Sequence, residues 1–275
     1  MSQTMKKAKS PSPWKPSKKL SNPGAVPSLN GRWGYLFTAP FFIAFLVFGL
    51  LPIIFSVILA FFDVDVLSGI YNPVGFQNFT DLMADARFWN ALANTFDIWF
   101  LSTIPMIIMS IGLAAILHNP FLRGSTFWRT ILLVPNITSV LAIAIVFGQL
   151  FGRDFGMVNI IIGSLGFPHV DFVQGTTSSH TAIATMIVWR WTGYNALIFL
   201  AAMLAIPSEL YESASLDGAG KWKQFLYVTL PGLRNTITFV LIVGTIGGLQ
   251  VFAEPLILGG SYNGGDSGQF STLTL

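Results

Sequence analysis

Apolar residues in this chain fall in long uninterrupted runs, not in the short alternations of half-buried strands or surface helices. Five runs stand out, at about residues 34–62, 91–117, 130–151, 181–206 and 236–258. Each is near or above the length of about 20 residues that crosses a hydrocarbon core roughly 30 Å thick. The pattern predicts an all-α fold, a polytopic membrane helix bundle. Pro40, Pro52, Pro105 and Pro135 lie inside the runs. They would break soluble helices, but in a bundle they mark kinks whose freed backbone groups find neighbouring partners.

Between the runs the sequence turns polar. Residues 1–33 carry Lys6, Lys7, Lys9, Lys15, Lys18, Lys19 and Arg32 among Ser and Pro, with no acidic residue. Such a segment cannot bury a core and predicts a disordered basic tail. The next run holds 29 uncharged residues, too long for the apolar part of a signal peptide, so it is an expected uncleaved first span. Lys and Arg on the connecting segments divide twelve against two. The minority, Arg87 and Arg153, share a side with Asp63, Asp65, Asp81, Asp85, Asp154, Asp171 and Asp266. Basic loops stay on the cytoplasmic side, which predicts a cytoplasmic N-terminus in a bacterial inner membrane and a cytoplasmic loop over residues 207–235.

Composition narrows the chemistry further. With 53% hydrophobic and 10% charged residues, the chain needs a lipid solvent. Its net charge of +3 comes from a tail suited to a lipid surface, so no nucleic-acid partner is expected. No cysteine is present, which rules out disulfides and thiol nucleophiles. Metalloprotease, nucleophile-elbow and EF-hand patterns are missing, and His118, His169 and His180 are too far apart in sequence for a local metal motif. Gly218-Ala219-Gly220-Lys221 imitates a phosphate loop, but Ser215 replaces its first Gly and Trp222 its Ser or Thr. No catalytic residue, metal or cofactor is predicted.

Two regions hold candidate chemistry. In the loop, Ser208 can cap a helix that Glu209 and Glu212 suit electrostatically, with Gly218 or Gly220 ending it. Trp222, Phe225, Leu226 and Thr229 then recur at amphipathic helical spacing. A bent helix pair of this kind could dock a soluble partner or lie as a helical loop on the membrane surface. Inside the spans, Arg190 lies near mid-bilayer with Asp97 at comparable depth from the same side, which suggests either an Asp97–Arg190 ion pair or an Arg190 that faces a wet translocation cavity. Trp189, Trp191, Tyr194 and Asn195 offer stacking surfaces and an amide, the groups that recognise sugars. Gly247, Gln250 and Glu254 form a stripe that should face a cavity. Trp191, Tyr194, Asn195, Gln250 and Glu254 are therefore the candidate substrate contacts. Gly148 with Gly152, and Gly244 with Gly248, are small-residue pairs that allow close packing.

Glu212, Ala214, Asp217, Gly218, Ala219, Phe225, Leu230 and Pro231 match the spacing of the EAA motif, with Ser213 in place of Ala and Val228 in place of Ile. The chain thus resembles permease subunits of maltose-type, carbohydrate-importing ABC transporters. Val74-Gly75 with Asn78-Phe79, Phe88-Trp89-Asn90-Ala91 with Asn94-Thr95, Trp128-Arg129-Thr130 with Pro135, and Gly156 with Asn159 extend the likeness, as do Gly259-Gly260 and Thr272-Leu273. The resemblance implies a non-enzymatic subunit translocating a sugar delivered by an extracytoplasmic binding protein. Its expected partners are a second, homologous permease, a cytoplasmic ABC ATPase dimer and membrane lipid. Glu209 and the matched motif residues would couple it to the ATPase. The family implies six spans, so the chain reads as ending before the last. The competing class, a secondary transporter or channel without an ATPase, commonly shows inverted repeats, and none is found.

Overall fold

The computed structural model describes residues 31–65, 67–153, 155–259, 265 and 268–275, with side chains from residue 34 onward. The predicted basic tail up to residue 30, with Asp154, Gly260 and Asp266, lies outside the described residues. The described residues divide into two compact units, one up to residue 79 and one from residue 80.

In the first unit, α1 (Gly31–Phe45), a π-helical turn (Leu46–Leu50) and α2 (Leu51–Leu59) make one continuous span. The Leu51 N–H reaches back five residues to the Leu46 carbonyl. This wide turn comes directly before Pro52, whose ring would otherwise press on the Phe48 carbonyl. No residue of this span from residue 34 onward is buried. Strands β1 (Phe62–Asp65) and β2 (Ile70–Pro73) follow as an antiparallel hairpin, with Phe62 opposite Pro73. The Asn78 amide, at the start of α3 (Gln77–Ala84), donates to the Ala60 and Phe62 carbonyls at 3.0 Å. That gives a physical role to one residue of the recognised pattern.

The second unit is built on α4 (Ala86–Leu117) and α8 (Thr176–Leu204). Between them come α5 (Ser125–Ile137), α6 (Val140–Leu150) and α7 (Met157–Ser164). Asp85 caps α4 by accepting the Arg87 N–H at 2.8 Å, and a hydrogen bond from the Arg87 side chain holds its carboxyl below the ordinary range. Two contacts set the α4–α8 register. Ser110 donates to the Thr192 carbonyl at 2.9 Å, and the Asp97 carboxylate stands 3.6 Å from His180. Both pairs are offset by almost the same number of residues, so the helices run parallel. A Cβ on Gly193 would overlap the Leu132 carbonyl, so only glycine lets the α5 backbone lie against α8. Phe199, Met203, Leu233 and Val240 fill the core with the last turns of α4.

Among the described residues three helices are long and apolar enough to cross a bilayer, or five if each of two bent pairs, residues 125–150 and residues 221–249 with a 61° bend, is one span. Two of the predicted continuous runs are broken. The run at residues 130–151 is α5 and α6, bent by 91°. There Thr138 and Ser139 are extended, and the Thr138 hydroxyl ends α5 by bonding the Val134 carbonyl at 2.8 Å. The run at residues 236–258 is α12 (Arg234–Leu249), a break at residues 250–252, and α13 (Ala253–Gly259). Gly247 and Gly248 weaken helix there, and Pro255 has no N–H to bond the Val251 carbonyl four residues earlier. α4 and α8 each begin five residues before the predicted runs: Arg87 and Asn90 interrupt the apolar pattern at the start of α4, and α8 opens on a polar turn, residues 176–180.

The small-residue pairs behave differently. Gly244 and Gly248 let α12 approach α4, with Trp99 within 2.6 Å of a Cβ placed on Gly248, whereas Gly148 faces open space. Asn159 is fully buried. It exchanges hydrogen bonds with Val170 and donates to the Arg153 carbonyl, tying α7 to the segment before α8.

Candidate functional site

A cavity of about 310 Å³ opens between α4, α8, α12 and the start of α13. The five predicted contact residues, Trp191, Tyr194, Asn195, Gln250 and Glu254, all line it, together with Arg190. The helix break at residues 250–252 does not scatter the stripe, since Gly247, Gln250 and Glu254 share this wall. Trp191 and Tyr194 are exposed aromatic surfaces. Asn195 is buried, and its NH2 donates to the Trp191 carbonyl at 3.0 Å and to the Met106 sulfur at 3.4 Å. Trp189 is not in this wall and packs on Phe147 of α6, with ring centroids 5.6 Å apart.

The ionic arrangement corrects the predicted Asp97–Arg190 pair. Arg190 Nη1 stands 3.3 Å from Glu254 Oε1, and the partner of Asp97 is His180. In the α4–α8 register Asp97 is level with His180. That is ten residues, or about 15 Å at 1.5 Å per residue, from Arg190. Counting depth from the starts of the apolar runs could not supply this register. The Arg190 guanidinium also lies 5.5 Å from the centre of the Trp191 ring, and its Nε is buried without a partner among the described residues.

The break before α13 is held by residues 268–275. The Thr272 and Thr274 hydroxyls both donate to the Val251 carbonyl, which Pro255 leaves without its helical partner. The Leu273 N–H donates to Thr95 at 3.0 Å, and the Asn94 amide donates to the Gly268 and Ser271 carbonyls. These bonds give Asn94, Thr95 and Thr272 of the recognised pattern a physical role. Sequence reasoning missed the role of Pro255, four residues after Val251, which was the available signal.

The loop over residues 207–235 forms a second candidate region. It contains α9 (Ser208–Leu216), α10 (Lys221–Gln224), a π turn (Phe225–Thr229) and α11 (Leu230–Gly232). Ser208 does not cap α9; Pro207 holds that place, without a side-chain bond. Gly218, at φ +76°, and not Gly220, ends the helix. The Ala219 N–H bonds the Ala214 carbonyl and the Gly218 N–H bonds that of Ser215, the two bonds of a Schellman ending.

Gln224, absent from the predicted set, locks this corner. Its amide donates to Ser215 Oγ at 2.8 Å and to the Ala219 carbonyl at 3.0 Å, while Tyr211 and Thr229 pair at 3.0 Å. The π turn before Pro231 rotates the predicted amphipathic face, so Gln224 and Thr229 are buried while Trp222 stays 71% exposed. Phe225 and Leu230 pack towards the core. Glu209, Glu212 and Asp217 stand exposed and free of ion pairs among the described residues.

Comparison with known proteins gives this geometry a family. The chain is 37% identical over 228 residues to an arabinooligosaccharides transport system permease protein of Bacillus subtilis, covering 82% of this chain and 71% of the relative. It is 38% identical over 225 residues to a lactose transport system permease protein of Rhizobium radiobacter, covering 80% and 74%. The fold is similar to a chain of a bacterial alginate ABC transporter solved with an alginate-bound periplasmic protein, with TM-score 0.72, 25% identity, and 88% and 79% of the two chains covered. A family model described as a binding-protein-dependent transport system inner membrane component matches residues 98–268, and the chain belongs to that family.

Proposed function

We propose that this chain is a permease subunit of an ATP-driven importer and carries a carbohydrate, received from an extracytoplasmic binding protein, through the cavity beside Arg190 and Glu254. A second, homologous permease completes the path, and a cytoplasmic ABC ATPase dimer docks on the loop over residues 207–235. Its N-terminus lies in the cytoplasm. The observation that carries this reading is the convergence of Trp191, Tyr194, Gln250 and Glu254 on one cavity. Aromatic faces cover the apolar side of a pyranose, and amide and carboxylate groups bond its hydroxyls. The sugar and oligosaccharide names of the similar permeases support the same cargo class.

For the loop, two exposed unpaired carboxylates on a helix fixed by a Schellman corner suit a soluble partner with a basic rim. Gln250→Ala and Tyr194→Ala test the cavity in the complete transporter. Uptake of labelled oligosaccharides should fall several-fold while the amount of assembled complex is unchanged. Unaltered uptake kinetics in both variants would remove the cavity from the transport path.

A further inference from the structure

Membership of the family leaves the charge of the cargo open, and the cavity bears on it directly. Of the described lining residues only Arg190 and Glu254 are charged. They are paired at 3.3 Å, so the wall formed by the described residues is formally neutral. Glu254 is 7% exposed, and its ion-pair partner among the described residues is Arg190. An anionic cargo that took Arg190 would strand this carboxylate in low dielectric. A cationic cargo that took Glu254 would strand the guanidinium. In either exchange the new contact is offset by a buried charge left without its counter-ion.

An uncharged polyol requires neither exchange. It can accept from guanidinium N–H groups that Glu254 does not use, lay a ring face on Trp191 or Tyr194, and bond the Gln250 amide. Building on the proposal that this cavity carries the cargo, we infer that the Arg190–Glu254 pair is a charge filter. The site takes uncharged saccharides and discriminates against uronates and amino sugars.

Binding is measured on the complete transporter in lipid nanodiscs without its binding protein, so that the selectivity of that protein does not enter. The probes are cellobiose, cellobiouronic acid and the glucosamine dimer, titrated by saturation-transfer NMR. The parent should bind cellobiose at least ten-fold more tightly than either charged disaccharide. Glu254→Gln should strengthen uronate binding at least ten-fold, and Arg190→Gln should do the same for the amino disaccharide. A parent that binds a charged probe as tightly as cellobiose overturns the filter, and so do variants that keep the parent's ranking. The parent's ranking needs no variant, so a substitution that prevents assembly does not remove the test. Failure of all three probes to bind any form overturns the cavity reading too, whereas binding with an unchanged charge ranking overturns the filter alone.

Discussion

Arg190 sits inside an apolar span and is only 24% exposed at its side chain, so its charge must be answered by a neighbour. Glu254 supplies the answer from a different helix, and Trp191 adds its ring. Removing one member of an enclosed ion pair costs about 3–5 kcal/mol, and partial exposure of Arg190 places this pair toward the lower end. Arg190→Gln and Glu254→Gln should therefore each lower the thermal stability of the solubilised assembly, with the double variant recovering much of the loss. Asp97→Asn should add independently to Arg190→Gln. Additive effects for Arg190 and Glu254, or strong coupling between Asp97 and Arg190, would show that the pairing is misassigned. Arg190, Trp191, Tyr194, Gln250 and Glu254 were legible in the sequence because polar groups in apolar runs are expensive and stand out. The partner of Arg190 was not, since pairing across helices depends on register. Gly193 was invisible for another reason: small residues are common in such runs, and only the approach of α5 shows that this one is indispensable.

Prolines decide where the helices of this chain depart from regularity. Pro52 and Pro231 each follow a π turn by two positions, so the carbonyl that a proline cannot serve is spread into a wider loop. Pro255 acts more severely, because α12 has already ended at Leu249 and the Val251 carbonyl is left to Thr272 and Thr274. Leaving that carbonyl unsatisfied costs about 1–3 kcal/mol. Thr272→Val with Thr274→Val should loosen the corner between α12 and α13. The chain has no cysteine, so a single cysteine at position 250 reports this cleanly, and its labelling rate should rise in the double-valine background. An unchanged rate would mean that the corner is held by other contacts. Hydropathy revealed the existence of the spans but not their breaks, since Thr138-Ser139 and residues 250–252 lie within apolar averages. The end of α9 at Gly218 was legible as one of two glycines. Its lock by Gln224 depends on tertiary placement and was not.

At the scale of the molecule, the loop over residues 207–235 is joined to the helices that wall the cavity. α8 carries Arg190, Trp191 and Tyr194 and ends at Leu204, just before the loop. α12 begins at Arg234, at the loop's end, and leads to Gln250 and Glu254. A force applied to α9 therefore reaches α8 through residues 205–207, and α12 through α10, the π turn and α11, a suitable arrangement for alternating access. Gly218 fixes the angle at which α9 leaves the loop. A β-branched residue at its left-handed φ is strained by roughly 1–2 kcal/mol, although no neighbouring atom blocks a side chain there. The most direct test is the number of cargo molecules taken up per ATP hydrolysed, in proteoliposomes containing the complete assembly, for the parent and for Gly218→Val. Gly218→Val should retain its ATPase and insert normally, yet move several-fold less cargo per ATP. An unchanged ratio would contradict this, because the loop would then be a passive connection between two spans.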